Sequence, residues 1–180
     1  MAADSDALLS SAARLLALRP AASMEEVAAS TGISRATLFR RFPSRAALVS
    51  ALSERALSAY IDAVERARPE AGPAPEALRR AVSELAELAP VYGLLVLQPL
   101  DEHVEAGLVE RARKGDERLT RLVRRGQESG DFRVDLPADW VLTTITWLVV
   151  GAADGLRLGL IAPAQIEHLV TETVLGSLRR

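Results

Sequence analysis

Cysteine is absent from the 180 residues. Disulfides, thiolate zinc sites, iron–sulfur clusters and a cysteine nucleophile are excluded with it. Histidine is scarce: His103 and His168 lie far apart in the chain. No Ser/His/Asp grouping and no phosphate loop is visible, and Asp101, Glu102 and Glu105 around a single histidine make too poor a donor set for a metal. The reading is therefore of a non-enzyme, with no catalytic residue, cofactor or metal ligand assigned. The 11 glycines and 9 prolines are too few for a collagen-like or low-complexity chain. Lysine is nearly missing as well, Lys114 standing against 21 arginines, a bias that reads as genome composition. Long hydrophobic runs are also lacking. The most apolar window, residues 140–153, is 14 residues long and is followed by Asp154 and Arg157; a membrane span needs about 20. Asp4 and Asp6 stand where a secretory signal would carry bases, and Arg14 interrupts the first apolar run. A soluble cytoplasmic chain with no membrane partner is expected.

What is present is material for a core: 49% apolar residues, 26% charged and a mean hydropathy of +0.12. The net charge of −2 says nothing of nucleic acid, but its distribution does. The first fifty residues carry six arginines against four acids, and four of those six fall between Arg35 and Arg45 with no acid among them. Such a stripe suits an anion-contacting module, and equally an ordinary solvated helix face.

Helical spacing recurs along nearly the whole chain. Leu8, Ala12, Leu15 and Leu16 predict a helix over residues 5–18, stopped by Pro20. Ser23 and Glu26 form a capping-box pattern that opens a short second helix, with Gly32 supplying the left-handed position after it. Ser34 caps a third helix over 35–42, ended by Pro43, and Ser44 caps a fourth over about 44–66. Residues 69–75 read as a loop. Leu78, Val82, Leu85 and Leu88 mark a fifth helix, and an apolar piece over 91–98 lies between Pro90 and Pro99. A long amphipathic helix over about 102–129 follows, then a turn over 130–137 and helices over about 138–160 and 164–178. No alternating strand pattern is found. The expectation is an all-α fold of about nine helices without internal repeats, divided into residues 1–50 and residues 51–180.

Residues 23–45 combine two short helices with a Gly-containing turn, which fits either a helix-turn-helix or an αα-hairpin inside a bundle. Val27, Ala28 and Ile33 can face Leu38 and Phe42, pinning the third helix across the second. Arg35, Thr37, Arg40 and Arg41 then lie outward, where a helix of this kind fits the major groove of B-DNA, about 12 Å wide. Arginine can take the N7/O6 pair of guanine, and the Thr37 methyl can touch a thymine methyl.

These residues resemble a known pattern. The run 23-SMEEVAASTGISRATLFRRFPSRAALVSAL-52 is similar to the DNA-binding domain of the tetracycline-repressor (TetR) family of bacterial transcriptional regulators: a capped second helix, the T-G-I-S turn, a T-L-aromatic-x-x-F core and P-S-basic-x-x-L. The resemblance reaches from residue 8 to about residue 52 and is looser beyond, in G-Q-E-S-G-D-F-R-V-D-L-P at 126–137. It implies base contacts from Arg35, Ala36 and Thr37 behind the Ser34 cap, and phosphate or mixed contacts from Arg40 and Arg41. It further implies a phosphate contact from Arg45 and a backbone-amide phosphate site at Ser23. The family pattern usually has a tyrosine at position 39, whose hydroxyl bonds a phosphate. Phe39 has no hydroxyl and is expected to keep only the packing role.

The resemblance also implies a homodimer on double-stranded operator DNA, with half-sites about 34–36 Å apart. Its last two helices would form the interface, for which Gly151, Gly155, Ile166, Leu169, Val170 and Val174 are the candidates. Gly151, Gly155 and Gly159 repeat every four residues, as close backbone approach would require. A small-molecule inducer site is implied in the second half. Its candidate residues are Tyr92, Leu95, Gln98 and His103, joined by Leu122, Thr143, Thr144 and Trp147. Trp140 and Trp147 share a helix face, a pattern more common in cores than in ligand sites. The function expected is a ligand-responsive regulator, a repressor released from its operator by a small, mostly apolar molecule. The alternative is a small-molecule-binding or scaffold protein that has lost DNA binding.

Overall fold

The computed structural model describes residues 2–89 and 104–179, with side chains from Ala7 onward. Eight α-helices occur among them: α1 (Ala2–Leu18), α2 (Met24–Thr31), α3 (Arg35–Arg41), α4 (Arg45–Ala67), α5 (Ala74–Ala86), α6 (Ala106–Glu128), α7 (Ala138–Arg157) and α8 (Ile166–Leu178), with a 3-10 turn at Pro163–Gln165 before the last. No strand is found among the described residues.

Two apolar clusters organise the chain. The first gathers Leu8, Ala12 and Leu16 of α1, Val27 and Ala28 of α2, Leu38 of α3, and Leu48 and Leu52 of α4. The second begins at Leu57 of α4 and takes in stripes from α5 to α8, among them Leu78, Val82, Leu122, Ile145 and Val174. Helix α4 therefore runs through both, its first turns packed in one core and its remainder in the other. In the second body α4 lies against α5 and α6, α5 against α8, and α7 against both α6 and α8, while α1 also touches α7.

Arginines brace the connection after α4. Arg68 adopts a left-handed conformation at φ 45° and turns the chain. Arg80 donates to the carbonyls of Ala67 and Ala71 at 3.1 and 2.6 Å, and Arg125 to those of Pro69 and Glu70 at 3.0 and 2.9 Å. These bonds satisfy carbonyls that the end of α4 and its loop leave without helical partners. Arg118 adds ion pairs to Glu65 at 2.8 Å and Glu70 at 2.7 Å.

The turn from α6 to α7 is equally specific. Gly130 sits at φ 83°, and Gln127 donates to the carbonyls of Arg133 and Leu136 at 3.1 and 2.7 Å. The Phe132 ring is buried against Gly126.

Three expectations need correction. Trp140 and Trp147 are 58% and 53% exposed, so the tryptophan face is outside the core; α7 buries Val141, Ile145 and Val149 instead. The stripe Ile166, Val170 and Val174 on α8 is buried inside the chain's own core and has no free face for a partner, whereas Leu169 is 41% exposed. The glycine series has no common role. A Cβ at Gly151 would meet no atom within 4 Å, one at Gly155 would touch Ile161 of the same chain at 3.3 Å, and Gly159 lies past the end of α7 at φ 70°.

Candidate nucleic-acid interface

The first cluster holds α2 and α3 at a fixed crossing, and local chemistry sets both helix starts. The Ser23 hydroxyl accepts from the Glu26 amide at 3.2 Å, while the Glu26 carboxylate accepts from the Ser23 amide at 2.7 Å. That backbone bond, helped by Arg19 at 2.8 Å, holds the Glu26 carboxyl below its ordinary range. Gly32, at φ 71°, ends α2. Ser34 then caps α3, accepting from the Thr37 amide at 3.1 Å. Leu38 is fully buried, and Phe42 closes the same core.

With Leu38 turned inward, Ser34, Arg35, Ala36, Arg40 and Arg41 are exposed, and Thr37 and Phe39 are half-buried. The Thr37 hydroxyl lies 2.9 Å from that of Ser34. Arg35 is paired with Glu25 of α2 at 3.0 Å, and its guanidinium lies over the Phe39 ring, 5.2 Å from the centroid. Phe39 also packs against the first core, as a ring in this position can without a hydroxyl.

Arg45 and Ser23, the other two phosphate candidates, already have partners within the chain. Arg45 donates to the carbonyls of Ala22, at 2.5 Å, and Pro20. It thus ties the start of α4 to the turn between α1 and α2. At Ser23 the first turn of α2 already holds its own anion, since the Glu26 carboxylate occupies the Ser23 amide and Glu25 stands beside it.

The second body presents a groove of about 730 Å³ between α6 and α7, lined by Arg113, Asp116, Thr120, Arg121, Asp139 and Thr143 among others. Tyr60 of α4 donates to Asp116 at its edge. Crowding by the protein raises the Asp116 carboxyl above its ordinary range, and the Tyr60 bond opposes this. Of the ligand-site candidates, Thr143 lines this groove, while Leu122 lines a neighbouring cleft beside Pro69 and Arg125. The Thr144 hydroxyl bonds back to the Trp140 carbonyl at 2.9 Å, and Trp147 points to solvent. Tyr92, Leu95, Gln98 and His103 lie outside the described residues. The four described candidates are not brought to one place. Sequence reasoning missed Asp116 and Glu25, because an acid among many on a helix gains meaning only from what the neighbouring helix sets against it.

Comparison with known proteins agrees with this geometry. Residues 8–52 match the model of the family described as bacterial regulatory proteins, tetR family. The HTH-type transcriptional regulator NfxB of Pseudomonas aeruginosa is 30% identical over 161 residues, covering 87% of this chain and 84% of NfxB. The HTH-type transcriptional repressor LfrR of Mycolicibacterium smegmatis is 26% identical over 170 residues, covering 94% of this chain and 88% of LfrR. The crystal structure of LfrR in complex with proflavine superposes with a TM-score of 0.76 at 25% identity, over 98% of this chain and 97% of LfrR.

Proposed function

Because the chain belongs to the tetR family of bacterial regulatory proteins, we propose that this transcriptional regulator binds its operator as a homodimer and that a small molecule in its second body sets the affinity. The observation that carries the reading is α3 itself: a capped helix with Leu38 buried behind it and Arg35, Ala36, Arg40 and Arg41 exposed on its outer side. In this reading Arg35, Ala36 and the Thr37 methyl meet base edges, while Arg40 and Arg41 meet phosphates. Residues 1–50 form the reading head and residues 51–180 the body.

A single α3 makes few contacts, so two heads on adjacent half-sites are needed for specificity. The α7 face of Trp140 and Trp147, continued by the open backbone at Gly151 and by Leu169 of α8, is the surface proposed for the second copy. Two half-exposed tryptophans there offer apolar area for a partner to cover, and indole rings are favoured interface residues. LfrR has been crystallised with proflavine; by analogy, a small organic molecule is proposed for the body of this protein, with repression as the resting state. Helix α4, shared between both cores, is the connection through which a ligand that favours one spacing of the heads would weaken DNA binding. By linkage, DNA must then weaken the ligand by the same factor.

The test is a mobility-shift titration with the DNA upstream of the protein's own gene, repeated over a salt series. Saturable binding whose affinity falls steeply with salt, as released counterions require, supports the reading. Binding that is absent at low salt sinks it and favours a ligand-binding protein without DNA, the alternative to which the missing hydroxyl at Phe39 points.

A further inference from the structure

Arg35 is the first residue of α3, and its guanidinium has five N–H donors in a flat fork. Two neighbours from different elements take hold of that fork. Glu25, in the first turn of α2, places a carboxylate oxygen 3.0 Å from one terminal nitrogen. The guanidinium carbon also lies over the ring of Phe39, one helical turn further along α3, 5.2 Å from its centroid. The side chain is still 69% exposed, so the guanidinium has these two neighbours while the rest of it stays open.

We infer that Glu25 and Phe39 are specificity-determining positioning residues: they fix the orientation in which Arg35 is offered to DNA, so that it meets a base edge and not the nearest phosphate. The inference rests on the DNA-binding reading above. An unrestrained arginine beside a duplex pairs with phosphates, which are nearer and more numerous than base edges, and such contacts carry no sequence information. Swinging Arg35 toward a phosphate would break its pair with Glu25 and leave an unpaired carboxylate beside a polyanion. It would also uncover the Phe39 ring. Staying in place leaves one edge of the fork free for the N7/O6 pair of a guanine, which needs two donors in a fixed direction. Glu25 thus lowers attraction to arbitrary DNA while raising discrimination at one base pair of each half-site. This also gives Phe39 a task on the outer surface of α3 that a phosphate-bonding tyrosine hydroxyl is not needed for.

The experiment begins by selecting a preferred duplex from a randomised pool with the full-length protein. Affinities are then measured for that duplex, for its single-base-pair variants and for a scrambled duplex. Arg35→Ala is expected to flatten discrimination at one base pair per half-site. Glu25→Gln should reduce discrimination at that same pair roughly two- to fivefold, the worth of an exposed ion pair or cation–π contact, while tightening binding to the scrambled duplex. Phe39→Leu should reduce it by a similar factor without that tightening, and Phe39→Tyr, which keeps the ring, should preserve it. In an Arg35→Ala background Glu25→Gln should no longer change discrimination. Full discrimination retained in both Glu25→Gln and Phe39→Leu, or a loss spread evenly over all positions, overturns the inference while DNA binding stands. So does an Arg35→Ala protein that discriminates as before. Failure of the unmodified protein to bind any duplex overturns the DNA-binding reading and the inference with it. Glu25 is exposed on a helix surface, so its glutamine variant folds even where Phe39→Leu does not.

Discussion

Replacing Gly126 by alanine should destabilise the protein, although helix propensity alone argues the opposite. Alanine in a helix interior is worth about 1 kcal/mol more than glycine. At this position, however, a Cβ would lie 2.1 and 2.3 Å from two carbons of the Phe132 ring, far inside van der Waals contact. Phe132 is only 3% exposed, and its amide donates to the Gly126 carbonyl at 2.9 Å, so the ring cannot slide away without loosening the turn between α6 and α7. Overpacking of a core costs about 1–3 kcal/mol, and full expulsion of a buried phenylalanine about 3–5 kcal/mol. Setting the propensity gain against these, a net loss of about 2–3 kcal/mol is expected for Gly126→Ala. For a chain of this length that lowers the melting temperature by roughly 5–10 °C. Thermal and urea unfolding followed by circular dichroism would measure it. The two residues should also be coupled: once Phe132→Leu has thinned the ring, Gly126→Ala should cost at least about 1 kcal/mol less than in the native background. A Gly126→Ala protein that melts at or above the native temperature, or two substitutions whose effects simply add, would refute the reasoning.

Other outcomes follow from the same geometry. Arg45→Ala should weaken the head's stability and its DNA affinity, yet leave the slope of affinity against salt unchanged, because Arg45 holds backbone carbonyls; Arg40→Ala and Arg41→Ala should each lower that slope by about one. Asp116→Asn should raise stability at neutral pH. Its folded carboxyl titrates above the ordinary 3.8, so the charged form is disfavoured in the fold, and the gain over the native protein should vanish as pH drops below that value. Glu70 behaves in the opposite sense. Its hydrogen bond to Arg118 lowers its folded pKa from 4.5, so its contribution is present above that value and is lost as pH falls through the lowered one, and Glu70→Gln should blunt this part of acid unfolding. The two tryptophans, both on the outer face of α7, report on the proposed dimer. Their emission should shift to longer wavelength on dilution and Trp147→Glu should sediment as a monomer; a concentration-independent spectrum would count against that face.

Much of this molecule is readable in short stretches. A capping bond spans three residues and a glycine turn only one, so Ser23 with Glu26, Gly32, Ser34 and Pro43 define α2 and α3 without reference to the rest of the chain. The 3.6-residue period does the same for the class of fold, since an apolar stripe on every segment leaves helices packed on helices as the way to bury it. Periodicity shows that a helix has an apolar side; it is silent on which neighbour covers that side, or whether any does. Hence the stripe Ile166, Val170 and Val174, whose spacing suits a partner, belongs to the core, while Trp140 and Trp147, whose spacing suits a core or a ligand site, face outward. Arginine is the harder case. Its long side chain reaches across elements, so the partner it finds depends on how helices cross. Arg45 on two carbonyls and Arg35 on Glu25 are contacts made where separate helices pack, and no local pattern announces them.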